Sequence, residues 1–149
     1  MRAVVQRVGR ASVTIAGEVI ARIDAGVLVY LGVARDDHEE DATYLANKIR
    51  HLRVFRDAEG KMNLDVAEAG GCVLVVSNFT LLGDARKGRR PAYTAAAEPA
   101  AANTLYEVFC ERLRQAGLTV RTGRFRESML VQAVNDGPIN ILLDSGKRF

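Results

Sequence analysis

Two short stretches of this chain have residue types and spacing that could support chemistry, and neither uses a conventional catalytic side chain. The first is Asn135-Asp136-Gly137-Pro138-Ile139-Asn140, set between the apolar runs 129–134 and 139–143. Proline fixes φ and has no N–H to give to a ladder, and glycine removes the Cβ that would shield the peptide between them. Such a step either reverses the chain in a tight turn or aims its carbonyls at a ligand at close range. The second stretch is Ser77-Asn78-Phe79-Thr80-Leu81, which follows the strand-like run 72–76. It puts two hydroxyls and an amide where a strand ends, and there backbone N–H groups stop pairing and become free to hold a developing oxyanion. The plainer alternative is an edge-strand end that runs into a loop. A third stretch, residues 84–91, carries Arg86, Lys87, Arg89 and Arg90 around Gly88. It reads either as a solvated surface loop or as a phosphate clamp, since clustered cations supply nucleic-acid affinity without reading bases. Arg121, Arg124 and Arg126 would extend the same surface.

The familiar constellations are missing. His38 sits in an acidic run and His51 at the end of a helix-like segment, neither near a nucleophile in sequence. There is no Gly-x-Ser-x-Gly elbow, no phosphate loop and no metal-ligand spacing, so no metal and no cofactor are expected. Cys72 and Cys110 are far apart and read as small core residues. Either the chain is not an enzyme, or it works with backbone groups and with its substrate's own functional groups. Its 149 residues suit one domain able to bury roughly 68–70% of its unfolded surface. With 48% hydrophobic and 26% charged residues it has the balance of a soluble protein, and no apolar run approaches the ~20 residues of a membrane span. The chain opens on a strand-like run rather than a cleavable leader, which makes the cytoplasm the expected location. A net charge of +3 excludes little, so any nucleic-acid role must come from clustering.

The elements that would position these stretches follow from periodicity. Strands are expected at 3–8, 11–15, 18–23 and 27–33, with turns at Gly17 and Gly26. Acids at 36–41 precede Ala42, Leu45, Ala46 and Ile49 at helical spacing, so a helix begins there. A strand at 52–55, a turn at 57–60 and a strand at 72–79 come next. Pro99 should open a second helix with Leu105, Val108, Phe109, Leu113 and Ala116 along one stripe, closed by Gly117. Strands at 118–121, 130–134 and 139–143 complete the chain. The expected class is α+β, one domain over residues 1–149, with a largely antiparallel sheet curled like a barrel and two helices packed outside.

The chain also resembles the D-aminoacyl-tRNA deacylases. The resemblance rests on the Ser77-Asn78-Phe79-Thr80-Leu81 and Gly137-Pro138 segments and runs nearly end to end, through residues 1–8, 11–13, 48–49, 52–55, 60–63, 87–91 and 105–106. Asn78 stands where that family usually has glutamine, and Asn140 where it usually has threonine. The resemblance implies hydrolysis of the ester of D-aminoacyl-tRNA, with L-amino acids rejected and glycine mischarged onto alanine tRNA accepted. It implies a homodimer with the site at the subunit interface and Ser77, Asn78, Phe79 and Thr80 at the reaction. A cis Gly137-Pro138 would form the chiral gate, with Arg7, Met129 and Asn140 in support and Arg7 fixing the neighbouring subunit's loop. Arg86, Lys87, Arg89 and Arg90 would contact tRNA. Thr80 could be a nucleophile or only a backbone donor. A non-catalytic RNA-binding module and a small-molecule α+β enzyme with an interfacial pocket are the competing readings.

Overall fold

The computed structural model describes residues 1–148. Its frame is a six-stranded sheet built around one long strand, β1 (Arg2–Ile15). Along one side, β1 pairs antiparallel first with β3 (Gly26–Gly32) and then with β2 (Glu18–Ile23). Along the other it pairs antiparallel with β8 (Leu130–Asp144) over nearly its whole length. From β3 the sheet continues in parallel to β6 (Cys72–Ser77) and then β7 (Val120–Thr122), so it is mixed, antiparallel around β1 and parallel beyond β3. A two-stranded ribbon, β4 (Phe55–Arg56) and β5 (Met62–Leu64), brackets the turn at Asp57 to Gly60.

Helices α1 (Glu39–Arg50) and α2 (Pro99–Gln115) cover one face of the sheet. Under them Val5, Val29, Leu31, Val73 and Val75 pack with Leu45, Ile49, Phe109 and Leu113. The opposite face is closed by the curl of β2 and the second half of β1, which enclose Val8, Val13, Ile23, Leu28 and Leu74. Strands β3 and β6 are therefore buried on both faces, which is why they read as unbroken apolar runs rather than alternating ones. Strand β1 serves both cores by changing parity: Ala3 and Val5 face the helices, whereas Val8, Ala11 and Val13 face the second core. Its pairing with β8 shifts register over the same stretch, the work of a bulge.

Helix α2 begins with Pro99 at its first turn and ends in a Schellman motif, with Gly117 at φ +86° and Leu118 N–H donating to Leu113 O at 3.2 Å. Its buried stripe is Tyr106, Phe109, Cys110 and Leu113; the expected Leu105 and Val108 pack half-buried beside it, and the expected Ala116 is exposed. The Tyr106 hydroxyl donates to Val75 O at 3.1 Å, which satisfies it and lets the aromatic face inward. Other expectations give way as well. The strands expected at 3–8 and 11–15 are one, since Gly9 lies inside β1 without breaking it. The strand expected at 52–55 shrinks to Phe55–Arg56, with Val54 O instead accepting from Arg7 at 2.6 Å. The strand expected at 72–79 stops at Ser77 and gives way to a 3-10 helix, Phe79–Leu82.

The parallel pairing of β3 with β6 depends on a close approach at Gly26, where an added Cβ would stand 1.9 Å from Cys72 O. Gly9 has no atom within 4 Å of that position. Gly26→Ala should therefore lower the unfolding free energy by about 3 kcal/mol or more, and Gly9→Ala should change it by less than about 0.5 kcal/mol. Urea unfolding of the two variants beside the parent checks this, and equal losses would mean that the close approach is not what constrains residue 26.

Candidate active site

Strand β6 delivers Ser77 to the sheet's end, and Asn78 N–H extends the ladder by one more bond, to Leu31 O at 2.8 Å. The chain then turns sharply because Asn78 caps the 3-10 helix. Its Oδ1 accepts from Thr80 N–H at 3.1 Å and also from the Thr80 hydroxyl. The helix fits across the end of β3 because Gly32 has no side chain, as a Cβ there would stand 2.5 Å from Leu82 Cδ2 and 2.9 Å from Asn78 O. Thr80 N–H is engaged by Asn78, whereas Phe79 N–H has no partner among the described residues.

Ser77, Asn78 and Phe79 line a cavity of about 670 Å³, and Met129 lies in its wall with Tyr30, Val76 and Val131. Thr80 is exposed beside the cavity and is not one of its lining residues. Burial pushes the Tyr30 phenol above its ordinary pKa, so at neutral pH it is an uncharged hydrogen-bonding group. Sequence reasoning missed Tyr93, whose ring meets Phe79 edge-on with centroids 5.0 Å apart. Gly83 leaves the room for it, since a Cβ there would lie 3.0 Å from Tyr93 Cε1. The signal available in the sequence was a tyrosine directly after the basic loop. Arg126, also in the cavity wall, holds a left-handed φ of +65°. Among the described residues no three His, Cys, Asp or Glu side chains converge as a metal site would need.

Gly137 and Pro138 do not line this cavity. The chain does not reverse at them either: β8 runs on, and only the pairing with β1 is interrupted, from Gln6–Asn140 to Val8–Asn135. Arg7 alone faces the four residues between, so 136–139 are looped out with the Gly137-Pro138 peptide in cis. Gly137 has φ +126°, and a Cβ there would fall 2.7 Å from Ile139 Cγ1, so the position requires glycine. Arg7 is buried and supports its own chain's loop: its Nε lies 3.0 Å from Asp136 Oδ2, an ion pair by distance although that N–H is not directed at the carboxylate. Asn140 belongs to the same neck, donating to Asn135 Oδ1 at 2.9 Å.

The basic loop is pinched at its base by reciprocal bonds between Asp84 and Ala92 at 2.8 and 2.9 Å, and its tip is solvent-exposed. Hydrogen bonds from the Arg86 side chain hold the Asp84 carboxyl well below the usual carboxylate range. Arg86 is thus partly neutralised, while Lys87, Arg89 and Arg90 form no ion pair among the described residues. Tyr93 joins this loop to the cavity mouth.

The family model described as D-Tyr-tRNA(Tyr) deacylase matches residues 4–144. The chain belongs to that family. The D-aminoacyl-tRNA deacylase of Anaeromyxobacter dehalogenans (strain 2CP-C) is 62% identical over 149 residues, covering all of both chains. That of Symbiobacterium thermophilum is 58% identical over 149 residues, covering all of this chain and 99% of that one. Among solved structures, the c-Myc DNA Unwinding Element Binding Protein superposes with a TM-score of 0.91 at 39% identity, over 97% of this chain and 98% of that one. A probable eukaryotic D-amino acid tRNA deacylase has the same fold, with a TM-score of 0.81 at 18% identity over 95% and 97% of the two chains. This family member is accordingly a hydrolase, and the cavity beside Ser77, Asn78 and Phe79 is its candidate reaction site.

The capping geometry can be read directly by amide hydrogen exchange. Phe79 N–H should exchange faster than Thr80 N–H in the parent protein. Asn78→Ala should accelerate Thr80 about fivefold, the equivalent of one lost N-cap, and leave Phe79 nearly unchanged. A Thr80 rate indifferent to the substitution would show that Asn78 does not hold that donor.

Proposed function

We propose that this deacylase binds the aminoacyl end of tRNA at the cavity and hydrolyses it with main-chain donors and the substrate's own 2′-hydroxyl, without a protein nucleophile. The chain hydrolyses D-aminoacyl-tRNA, releasing the amino acid and the tRNA, so the reading of a non-catalytic RNA-binding module is set aside. One observation carries the mechanism. The Thr80 hydroxyl donates to an amide oxygen, which cannot accept its proton in a reaction, while the N–H of Phe79, a cavity-lining residue, has no partner among the described residues. A threonine needs an adjacent base to attack a carbonyl, whereas an aminoacyl ester is activated enough for orientation and oxyanion stabilisation to act on it. The 2′-hydroxyl beside the ester then orients or activates the attacking water, and Phe79 N–H holds the developing charge.

Selection between enantiomers is assigned to Gly137-Pro138. Both enantiomers present the same α-amino group, so discrimination must come from a clash on the side where an L side chain would project. A rigid loop supplies such a clash, and achiral glycine escapes it, which makes glycyl-tRNA mischarged on alanine tRNA a second substrate. The gate is absent from the cavity wall of its own chain, and a homodimer accounts for this by placing one subunit's loop at its partner's cavity. Strand β8 supports the pairing, because Leu130, Val134 and Leu142 are exposed large apolar residues on a strand with only β1 as its neighbour. Lys87, Arg89 and Arg90, with Arg86, contact the tRNA backbone. No helix of the described residues is long and apolar enough to cross a membrane. A tRNA substrate supports the cytoplasm as the site of the reaction.

Incubation with D- and L-tyrosyl-tRNA should show rapid loss of charge from the D form alone. Thr80→Ala keeps its main-chain N–H and should cleave within about tenfold of the parent rate, whereas a D-aminoacyl-tRNA ending in 2′-deoxyadenosine should be nearly inert. A dead alanine variant with rapid cleavage of the deoxy substrate would establish Thr80 as the nucleophile.

For the basic loop, Lys87→Gln, Arg89→Gln and Arg90→Gln together should weaken tRNA binding and flatten the slope of log K against log salt by about 0.7–0.9 per lost contact. Arg86→Gln alone should flatten it less, because Asp84 already balances that charge. A slope that does not change in the triple variant would remove the loop from the RNA surface.

A further inference from the structure

The neck of the looped-out segment is closed by a chain of three side-chain amides crossing from β1 to β8. Asn135 Nδ2 donates to Arg7 O at 2.9 Å and to Ile139 O at 3.1 Å, replacing ladder bonds that the loop interrupts. Asn140 Nδ2 donates to Asn135 Oδ1 at 2.9 Å, and Gln6 Nε2 donates to Asn140 Oδ1 at 2.8 Å. The direction of the whole chain follows from its end. Two backbone carbonyls can be met only by the NH2 of Asn135, so its oxygen must face Asn140; Asn140 must then donate, and its own oxygen must face Gln6. Every link is determined by the one before it. No member of the clasp carries an ionisable side chain, so its bonds do not depend on pH.

We infer that Gln6, Asn140 and Asn135 form a positioning clasp that sets the aim of Gly137-Pro138 and therefore how strictly the enzyme rejects L-aminoacyl esters. The inference rests on the reading of Gly137-Pro138 as the chirality gate. The geometry gives the reason for it: Gly137 and Pro138 lie between Asn135 and Asn140, the two side chains whose amides are joined, so a change of one bond length at the neck rotates both loop carbonyls together. Arg7 cannot supply this control alone. It meets the loop at Asp136, whose side chain is 59% exposed, through an Nε that is not directed at it, and its Nη2 lies against Gly137, 3.4 Å from where a Cβ would stand. The three amides instead bind both ends of the loop to one another and to β1.

The test compares single-turnover cleavage of D- and L-tyrosyl-tRNA by the full-length protein, reported as the ratio of the two rates. That ratio is independent of the fraction of folded enzyme, so a merely structural role would not move it. Asn140→Ala should lower the D:L ratio about fivefold, the equivalent of one net hydrogen bond. Gln6→Met, which keeps volume and loses the donor, should lower it by less. The double variant should be no worse than Asn140→Ala, because the two side chains act in one chain and their effects do not add. If Asn140→Ala does not fold, Gln6→Met breaks the same clasp from its far end. Gly137→Ala, whose Cβ meets Ile139 directly, reports on the gate itself. An unchanged ratio in Asn140→Ala and Gln6→Met beside a shifted ratio in Gly137→Ala would overturn the clasp and leave the gate standing. An unchanged ratio in all three would overturn the gate and the clasp with it.

Discussion

Strand β1 is paired on both sides along most of its length, and the mismatch in one of those pairings shapes the molecule. On one side β1 is matched residue for residue with β3, so its position is set by the parallel pair β3–β6 and by the two cores that bury that pair. On the other, β8 must keep its apolar residues Ile139, Ile141 and Leu143 toward the helix-side core while Met129 and Val131 face the second core. Side chains alternate with a period of two, so a strand cannot serve both cores without losing or gaining residues along the way. The bulge in β1 and the loop in β8 resolve this at the same place. The excess residues of β8 are pushed outward as the Gly137-Pro138 segment, and its position is as rigid as the register that expels it.

Much of this architecture was legible in the residues. Gly17, Pro99 and Gly117 mark their elements because their backbone roles are local. The helical spacing of Ala42, Leu45, Ala46 and Ile49 marks α1 because one face meets one core. What stayed hidden depends on partners distant in sequence. Residues 52–55 have a strand's composition, but Val54 O is claimed by Arg7, and of the four only Phe55 enters a ladder, opposite Leu64. Residues 130–143 look like a hairpin around Gly-Pro, and only the opposing strand reveals that the two halves are collinear. Tyr106 and Cys110 lie deeper in the inner stripe of α2 than Leu105 and Val108, which pack half-buried at its margin, because the Tyr106 hydroxyl finds Val75 O. In the candidate site, the segments at 77–80 and 137–138 could be picked out by their residue types. The capping of Thr80 by Asn78 and the seat of Tyr93 over Gly83 could not, because both are three-dimensional fits of small groups.

The distribution of charge around the site has a physical logic of its own. The cavity wall combines the Ser77 hydroxyl, the Asn78 amide and the Met129 thioether with aliphatic and aromatic carbons, and its charged members are Glu98, Arg126 and Glu127, while the cations of residues 87–90 sit on an exposed loop. A carboxylate or imidazole beside the ester would act on either enantiomer, since the reacting atoms are the same in both. Only shape distinguishes them, and shape is best imposed by groups that neither titrate nor attract counterions. On the proposed reading the two functions are separate, the exposed loop supplying salt-sensitive affinity for a polyanion and the Gly137-Pro138 segment supplying selection by shape. On the proposed mechanism the price of that separation is chemical modesty: a site that relies on a main-chain donor and the substrate's own hydroxyl can act only on a bond already disposed to break.

That modesty explains why the loop must be held so firmly. An enzyme that recognises its substrate by attraction can tolerate some looseness, because a misplaced ligand loses binding energy and leaves. One that recognises by exclusion has no such safeguard, since a wall that yields by a fraction of an ångström admits the wrong enantiomer to the same activated ester. Asn135, Asn140 and Gln6 meet this requirement at the neck, the glycine-only conformation of residue 137 at the tip, and the packing of Ile139 against the helix-side core at the base. None of these contacts adds to catalysis by itself. If Gly137-Pro138 is the gate proposed above, they convert the register conflict between β1 and β8 into a fixed obstacle, and the selectivity of the reaction follows from where the sheet cannot close.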